Sequence, residues 1–188
     1  MPYRPAMKRH SARGASLVEV AIALLLVSAG TLGLAGLQLA AKRMGYQAVQ
    51  RSAAAGMAVD LLERMRANRS VLQNYRVSGL GAAAGGRLPA PLASCESQQC
   101  SPAQRAFFDL WEWERILNGE LTSRAGGGLV RPFACVAVDG RHVAVAISWA
   151  GTQELDAGPS ADQCGEPAGP FFAAEREGLR MTTWIASN

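Results

Sequence analysis

Residues 20–41 read VAIALLLVSAGTLGLAGLQLAA, 22 positions without a charged side chain. As a helix rising about 1.5 Å per residue, this run is roughly 33 Å long, enough to cross a hydrocarbon layer of about 30 Å. Buried helices of soluble domains are seldom apolar for so long, because one face normally meets water. The run therefore predicts a membrane-spanning helix. Gly30, Gly33 and Gly36 would weaken a helix in water, whereas in a membrane or bundle small residues let helices approach closely. The run is too long for the apolar part of a secretory signal, about 7–15 residues, although LQLAA at 37–41 imitates a cleavage site.

Charge orients the helix. The chain has 188 residues, 19 Lys+Arg and 15 Asp+Glu, hence a net charge of +4. Arg4, Lys8, Arg9 and Arg13 lie in an acid-free leader of 14 residues, leaving 15 basic and 15 acidic groups in the other 174. A basic surplus can mark a phosphate-binding surface, but here it belongs to one short segment, and no nucleic-acid partner is expected. By the positive-inside rule the leader stays cytoplasmic, with Lys42, Arg43 and Arg51 blunting the asymmetry. Four cysteines, all beyond the apolar run, suit an exported, disulfide-bonded domain. Residues after about 45 are placed outside the cytoplasm.

The most specific stretch is RGASLVEVAIALLLVSAG, starting at Arg13. A basic leader ends in Gly14, and a single carboxylate, Glu19, precedes the apolar run. This arrangement resembles the type IV pilin family, including type II secretion pseudopilins. The resemblance implies cleavage by a prepilin peptidase after Gly14 and N-methylation of the new terminus at Ala15. Many members have Phe after the cut, and Ala15 departs from that. An unpaired carboxylate costs on the order of 2.5–3.5 kcal/mol at the centre of a membrane helix. Glu19 is near the interface, where the cost is smaller. The expectation is that it pairs with the Ala15 amine of an adjacent subunit during docking; the plainer alternative is an acid solvated beside the headgroups.

Ala58, Leu61, Leu62 and Met65 repeat at i, i+3, i+4 and i+7, an amphipathic helix pattern, with Glu63, Arg64 and Arg66 off the stripe. One helix over residues 15–67 is predicted, about 80 Å long, against an alternative broken near Gly45 or Gly56. Residues 78–94 are rich in Gly, Ala and Pro and read as a loop. GLGAAAG within it faintly resembles a dinucleotide fingerprint but lacks the preceding strand. Ser101, Pro102 and Gln104 form a capping-box start for a second helix, which Asn118-Gly119 ends. Ala103, Phe107, Leu110 and Leu117 share one face, with Trp113 close to it. Phe107, Trp111 and Trp113 read as core; Phe108 and Trp111 on the flank form a candidate partner patch.

FACVAV and RHVAVAISW alternate around Asp139-Gly140, a two-residue hairpin signal. GLRMTTWIAS near the end reads as a third strand, reached through a long irregular connection over residues 150–177. The fold class is α+β: a long N-terminal helix, its first half transmembrane, packed on a small antiparallel sheet and stapled by disulfides. CSPAQ after Cys95, the DLWEW helix, Gly126 to Gly128 and LLERMRAN at residues 61–68 resemble the PilV-type minor pilins, also called pilus modification proteins. That resemblance implies a subunit promoting fibre assembly, adhesion and twitching motility.

Cys95, Cys100, Cys135 and Cys164 allow three pairings. Cys95–Cys100 and Cys135–Cys164 are favoured: the first closes a small loop before the helix cap, and the second ties the first hairpin strand to the irregular connection. A zinc site needs ligands about two to four residues apart in pairs, which Cys135 and Cys164 are not. Asp156, Asp162 and Glu166 share a loop, but without EF-hand spacing they read as solvated acids. Of the two histidines, His10 leaves with the leader and His142 follows a turn. With no GxSxG, HExxH or Walker motif, neither enzyme, metal nor cofactor is expected.

The expected organisation is a leader at residues 1–14, a transmembrane and filament-core helix at 15–44, and a periplasmic head at 45–188. The expected partners are other minor pilins, the major pilin, the prepilin peptidase, the inner membrane and the pilus assembly platform. The location is the inner membrane with one span, then the pilus surface. The alternatives are a minor pseudopilin of a type II secretion system and a membrane-anchored periplasmic enzyme or binding domain.

Overall fold

The computed structural model describes residues 16–85, 87–92, 94–120, 128–151 and 176–186. Gly14, Ala15, Cys164 and the candidate calcium acids lie outside them. The elements in order are helix α1 (Leu17–Ala67), a 3₁₀ segment (Arg69–Tyr75), strand β1 (Val77–Leu80), helix α2 (Pro102–Leu117), and strands β2 (Phe133–Asp139), β3 (His142–Ala150) and β4 (Arg176–Trp184). A short 3₁₀ turn, Ala82–Ala84, follows β1. The chain divides into two compact units between Arg43 and Met44.

Apart from Ser16, the described part of the first unit is all α1. Its large apolar side chains are exposed on every side, for example Leu17 at 89%, Leu25 at 67% and Leu32 at 74%. Helix α1 is the one described helix long and apolar enough to cross a membrane. The helix passes Gly45 and Gly56 without a break, since a lone glycine costs a helix only about 1 kcal/mol.

In the second unit α1 turns amphipathic. Ala54, Met57, Ala58, Leu61, Leu62 and Met65 are its buried apolar residues, a stripe at the 3.6-residue period. They share one core with Leu110, Trp113 and Leu117 of α2 and with Val136, Val138, Val143, Val145, Ile147 and Trp149 of the sheet. The four strands run in the order β1-β2-β3-β4, and each adjacent pair is antiparallel. This is the expected α+β architecture, a long apolar helix packed on a small antiparallel sheet.

Three details differ from expectation. The hairpin turn consists of Gly140 and Arg141, because Asp139 pairs with His142. Gly140 has φ +57°, the left-handed first position that a II′ turn reserves for glycine. Residues 78–80, expected to lie in a loop, belong with Val77 to edge strand β1, Val77 standing opposite Val136 and Leu80 opposite Ala134. One glycine and a serine disguise this strand, and its pairing with β2 creates it. Gly81 then turns the chain at φ +95°, where a Cβ would sit 2.6 Å from the Pro132 carbonyl oxygen, so only glycine fits. Finally, the buried residues of α2 are Ala106, Phe108, Asp109, Leu110, Trp113, Glu114 and Leu117. Ala103 is exposed and Phe107 half-buried. The face is rotated because it includes two acids whose partners lie elsewhere in the fold.

Candidate functional site

Glu19 stands in the first turn of α1. Helix N-termini leave N–H groups unpaired and carry partial positive charge, so an acid there is locally favoured. Among the described residues Glu19 has no hydrogen-bond or ion-pair partner. Beyond it, the Ser28 and Thr31 hydroxyls donate to the carbonyl oxygens of Leu25 and Ser28, both at 2.9 Å. Those polar side chains are satisfied within their own helix, as hydrocarbon surroundings would require. A Cβ on Gly30, Gly33 or Gly36 would meet nothing within 4 Å. The described part of the first unit thus presents an apolar rod with one acid at its start.

The head is organised by polar groups sandwiched between α1 and α2. The Arg64 guanidinium meets the carboxylates of Asp60 at 2.9 Å, Glu112 at 2.5 Å and Asp109 at 3.6 Å. Tyr75 Oη donates to Asp109 Oδ2 at 2.5 Å. Asn68 Nδ2 donates to Tyr75 Oη at 3.1 Å and to the Pro102 carbonyl at 2.8 Å. Burial pushes the Asp109 carboxyl up, while the Tyr75 bond and the Arg64 charge pull it down. LLERMRAN and DLWEW are thus two sides of one contact: Arg64 and Asn68 come from the first, Asp109 and Glu112 from the second.

Trp113 is fully buried, and its indole Nε1 donates to the Met57 carbonyl of α1 at 2.8 Å. Glu114 is 3% exposed and is held by the chain that follows β1. Its carboxylate accepts from Leu88 N at 2.8 Å and Gly81 N at 3.2 Å. Ala82 N donates to Asn118 Oδ1 and Ala83 N to the Pro132 carbonyl, both at 2.9 Å. The amides of GLGAAAG that could have cradled a phosphate are therefore committed to the protein. Sequence reasoning missed Asp109 and Glu114 as buried groups. The available signal was their place at i+3 and i+4 spacings among Ala106, Leu110, Trp113 and Leu117.

The capping box forms as expected: Gln104 N donates to Ser101 Oγ at 3.3 Å and Ser101 N to Gln104 Oε1 at 2.9 Å. Cys95 and Cys100 are disulfide-bonded, with Cα atoms 5.5 Å apart. Closing so short a loop contributes about 2 kcal/mol. Arg105 Nη2 donates to the Cys95 carbonyl at 2.9 Å, fastening the closed loop to the first turn of α2. Cys135 is also disulfide-bonded; the favoured partner, Cys164, lies outside the described residues. Phe108, read as a patch residue, is 6% exposed, its ring tilted against Trp111 at 5.8 Å. Trp111 is in turn covered by the Arg115 guanidinium, 4.8 Å from the ring centre. Neither ring is a free apolar surface. Among the described residues no three His, Cys, Asp or Glu side chains cluster as a metal site.

The network carries a pH expectation. Tyr75 is raised above the ordinary phenol value of about 10, first by burial and then by its bond to Asp109. An acid with a raised folded pKa keeps its proton longer when folded. The folded state is then the better proton binder above about pH 10, and stability falls as pH rises through that range, by up to about 1.4 kcal/mol per unit. Urea unfolding across this range is expected to show that slope in the native chain and a smaller one in Tyr75→Phe. Equal slopes would remove Tyr75 from the account.

The model of a family described as Type IV pilin Tt1218 matches residues 36–111. The matched stretch begins in the apolar part of α1 and ends inside α2, and it takes in Arg64, Asn68, Tyr75 and Asp109. No curated protein and no solved structure matches the chain. Over residues 36–111 the chain is similar to the type IV pilins, and that match, with the long apolar helix laid on a four-stranded antiparallel sheet, supports placing it in the type IV pilin superfamily.

Proposed function

We propose that the chain is made as a prepilin, cut after Gly14, N-methylated at Ala15, and assembled as a minor subunit of a type IV pilus. One observation carries the reading: a single helix holds an exposed apolar stretch and then a buried amphipathic stripe. Such a helix suits a subunit stored in a membrane and transferred to a bundle of like helices, since either environment covers the same rod. On this reading residues 15–44 are the span and later the filament core, and residues 45–188 are the periplasmic head. Glu19 would pair with the Ala15 amine of a neighbouring subunit, major or minor. The work is assembly rather than catalysis, with adhesion and twitching motility following from it.

N-terminal sequencing of the mature protein tests this. The expected terminus is methylated Ala15, and a terminus at Met1 or near residue 42 would overturn the reading. Glu19→Ala is expected to remain in the membrane and to be lost from sheared pili. Normal incorporation of that variant would refute the docking role. Deletion should reduce surface pili and leave enzyme secretion intact; the reverse pattern would make the chain a type II secretion pseudopilin.

A further inference from the structure

The sheet face turned away from α1 carries a groove that the pilus reading does not use. Side chains alternate across a strand. With Val143, Val145 and Ile147 in the core, His142, Ala144 and Ala146 of β3 lie on the opposite face, His142 exposed and the two alanines 9% exposed. The register sets their neighbours in rows. His142 lies between Asp139 and Trp184, Ala144 between Ala137 and Thr182, and Ala146 beside Arg180. All of these except Ala146 line a depression of about 440 Å³.

Its chemistry is mixed in a particular way. Trp184 is 57% exposed at the end of β4, an aromatic plate of the kind proteins usually bury or use. Asp139, His142, Arg180 and Thr182 form no side-chain hydrogen bond or ion pair with any described residue. Arg66 and Thr183, by contrast, are spent on each other at 3.0 Å. The floor is made of alanine methyl groups. Strands lie about 4.8 Å apart, so three of them give a flat floor roughly 10 Å wide.

These features select one class of ligand. A pyranose ring has an apolar C–H face that stacks on an indole, and a rim of hydroxyls that each donate and accept. The polar groups around the groove cover both needs: Asp accepts, Arg donates, and His and Thr do both. An anion would gain from Arg180 but be opposed by Asp139; an aliphatic ligand would leave four polar side chains unpaired. We propose that this groove binds a sugar ring, with Trp184 as the stacking wall, Ala144 as the floor, and Asp139, His142, Arg180 and Thr182 as hydroxyl partners. The proposal is independent of the pilus reading. A shallow site for one ring holds its ligand in the millimolar range.

The test uses the full ¹⁵N-labelled chain in an amine-oxide detergent, which carries no sugar headgroup. The four tryptophans give four indole N–H signals, with Trp184 assigned through Trp184→Phe. Methyl β-D-glucopyranoside, methyl α-D-mannopyranoside and the methyl glycoside of N-acetylglucosamine are titrated in turn. At least one is expected to shift the Trp184 signal saturably while the buried Trp113 and Trp149 signals stay put. Ala144→Leu, which fills the floor from outside the core, should weaken binding at least about tenfold, as should Arg180→Ala. If the buried indole signals show that Ala144→Leu has not folded, Thr182→Val in the same row takes its place. No saturable shift with any of the three glycosides overturns the proposal. So does binding that the floor and arginine variants leave unchanged, or an equal shift with sodium acetate, which would mark a simple anion contact.

Discussion

Replacing Arg64 by methionine is expected to lower the stability of the head by about 3 kcal/mol, equivalent to roughly 10 °C in the midpoint of thermal unfolding. Methionine keeps the length and packing of the stem, so the loss reports the charge. Asp109 and Glu112, whose side chains are 7% and 13% exposed, both rely on this guanidinium. Removing one partner of a buried ion pair strands the other in a medium that solvates it poorly, which makes deletion far costlier than the pair's net worth. Asp60 is 46% exposed and loses little. The effect should depend on pH. Burial already raises the Asp109 carboxyl, and the Arg64 charge is one of the forces holding it down. In the variant its folded pKa rises further above the unfolded value of about 3.9. The variant then loses stability as pH climbs from about 4 through that higher pKa. The gap between native and variant chains is therefore widest near neutral pH and narrows on acidification. Thermal unfolding of the full chain in detergent at several pH values measures this. A gap under about 1 kcal/mol at neutral pH would mean that water, not Arg64, satisfies the acids.

That network marks the boundary of what the residues alone disclosed. Helix α1 was legible because 22 uncharged positions and then the 58, 61, 62, 65 stripe each signal a helix, and nothing between them breaks one. The β2–β3 hairpin was legible from alternation alone; its turn was displaced by one residue, since Gly140 rather than Asp139 takes the left-handed position. The capping box at Ser101 and Gln104 is a local code and was read correctly. Strand β1 was hidden because Ser78 and Gly79 carry no strand signal, and its place is set by a partner more than fifty residues away. The face of α2 was misplaced for a related reason. Phe107 outranks Asp109 and Glu114 on any hydropathy scale, so the residues alone give no reason to bury the acids. Arg64, Tyr75 and the amides of Gly81 and Leu88 reverse that order by supplying partners that a helical wheel does not contain. At the candidate assembly site the balance differs. Glu19 was conspicuous because it stands alone just before an apolar run, whereas its proposed counterpart belongs to another subunit.

Glu114→Ala is expected to be the second severe lesion, and its effect should spread in a specific direction. The carboxylate accepts from two backbone amides, Gly81 and Leu88. Hydrogen bonds to a charged acceptor contribute about 1.5–3 kcal/mol each, and buried donors left unpaired bear the full desolvation cost. A loss of roughly 3–5 kcal/mol follows. Gly81 cannot relocate to recover it. Its φ of +95° and the Pro132 carbonyl against its Cα fix the turn, so its amide stays aimed at the vacated position. Leu88 lies in a segment without regular structure and is free to turn its amide to water. Hydrogen exchange should therefore separate the two: Leu88 gains local, fast exchange in the variant, while Gly81 exchanges only with opening of β1. Glu114→Gln tests the same idea more gently. It keeps one acceptor oxygen but turns an NH₂ group toward the other amide, so only one of the two bonds survives. It should fall between the native chain and Glu114→Ala in stability, with one amide protected and the other not. If both amides in Glu114→Ala remained as protected as in the native chain, the carboxylate would not be what holds this loop to α2, and packing of Leu80 and Leu88 against the core would have to account for it.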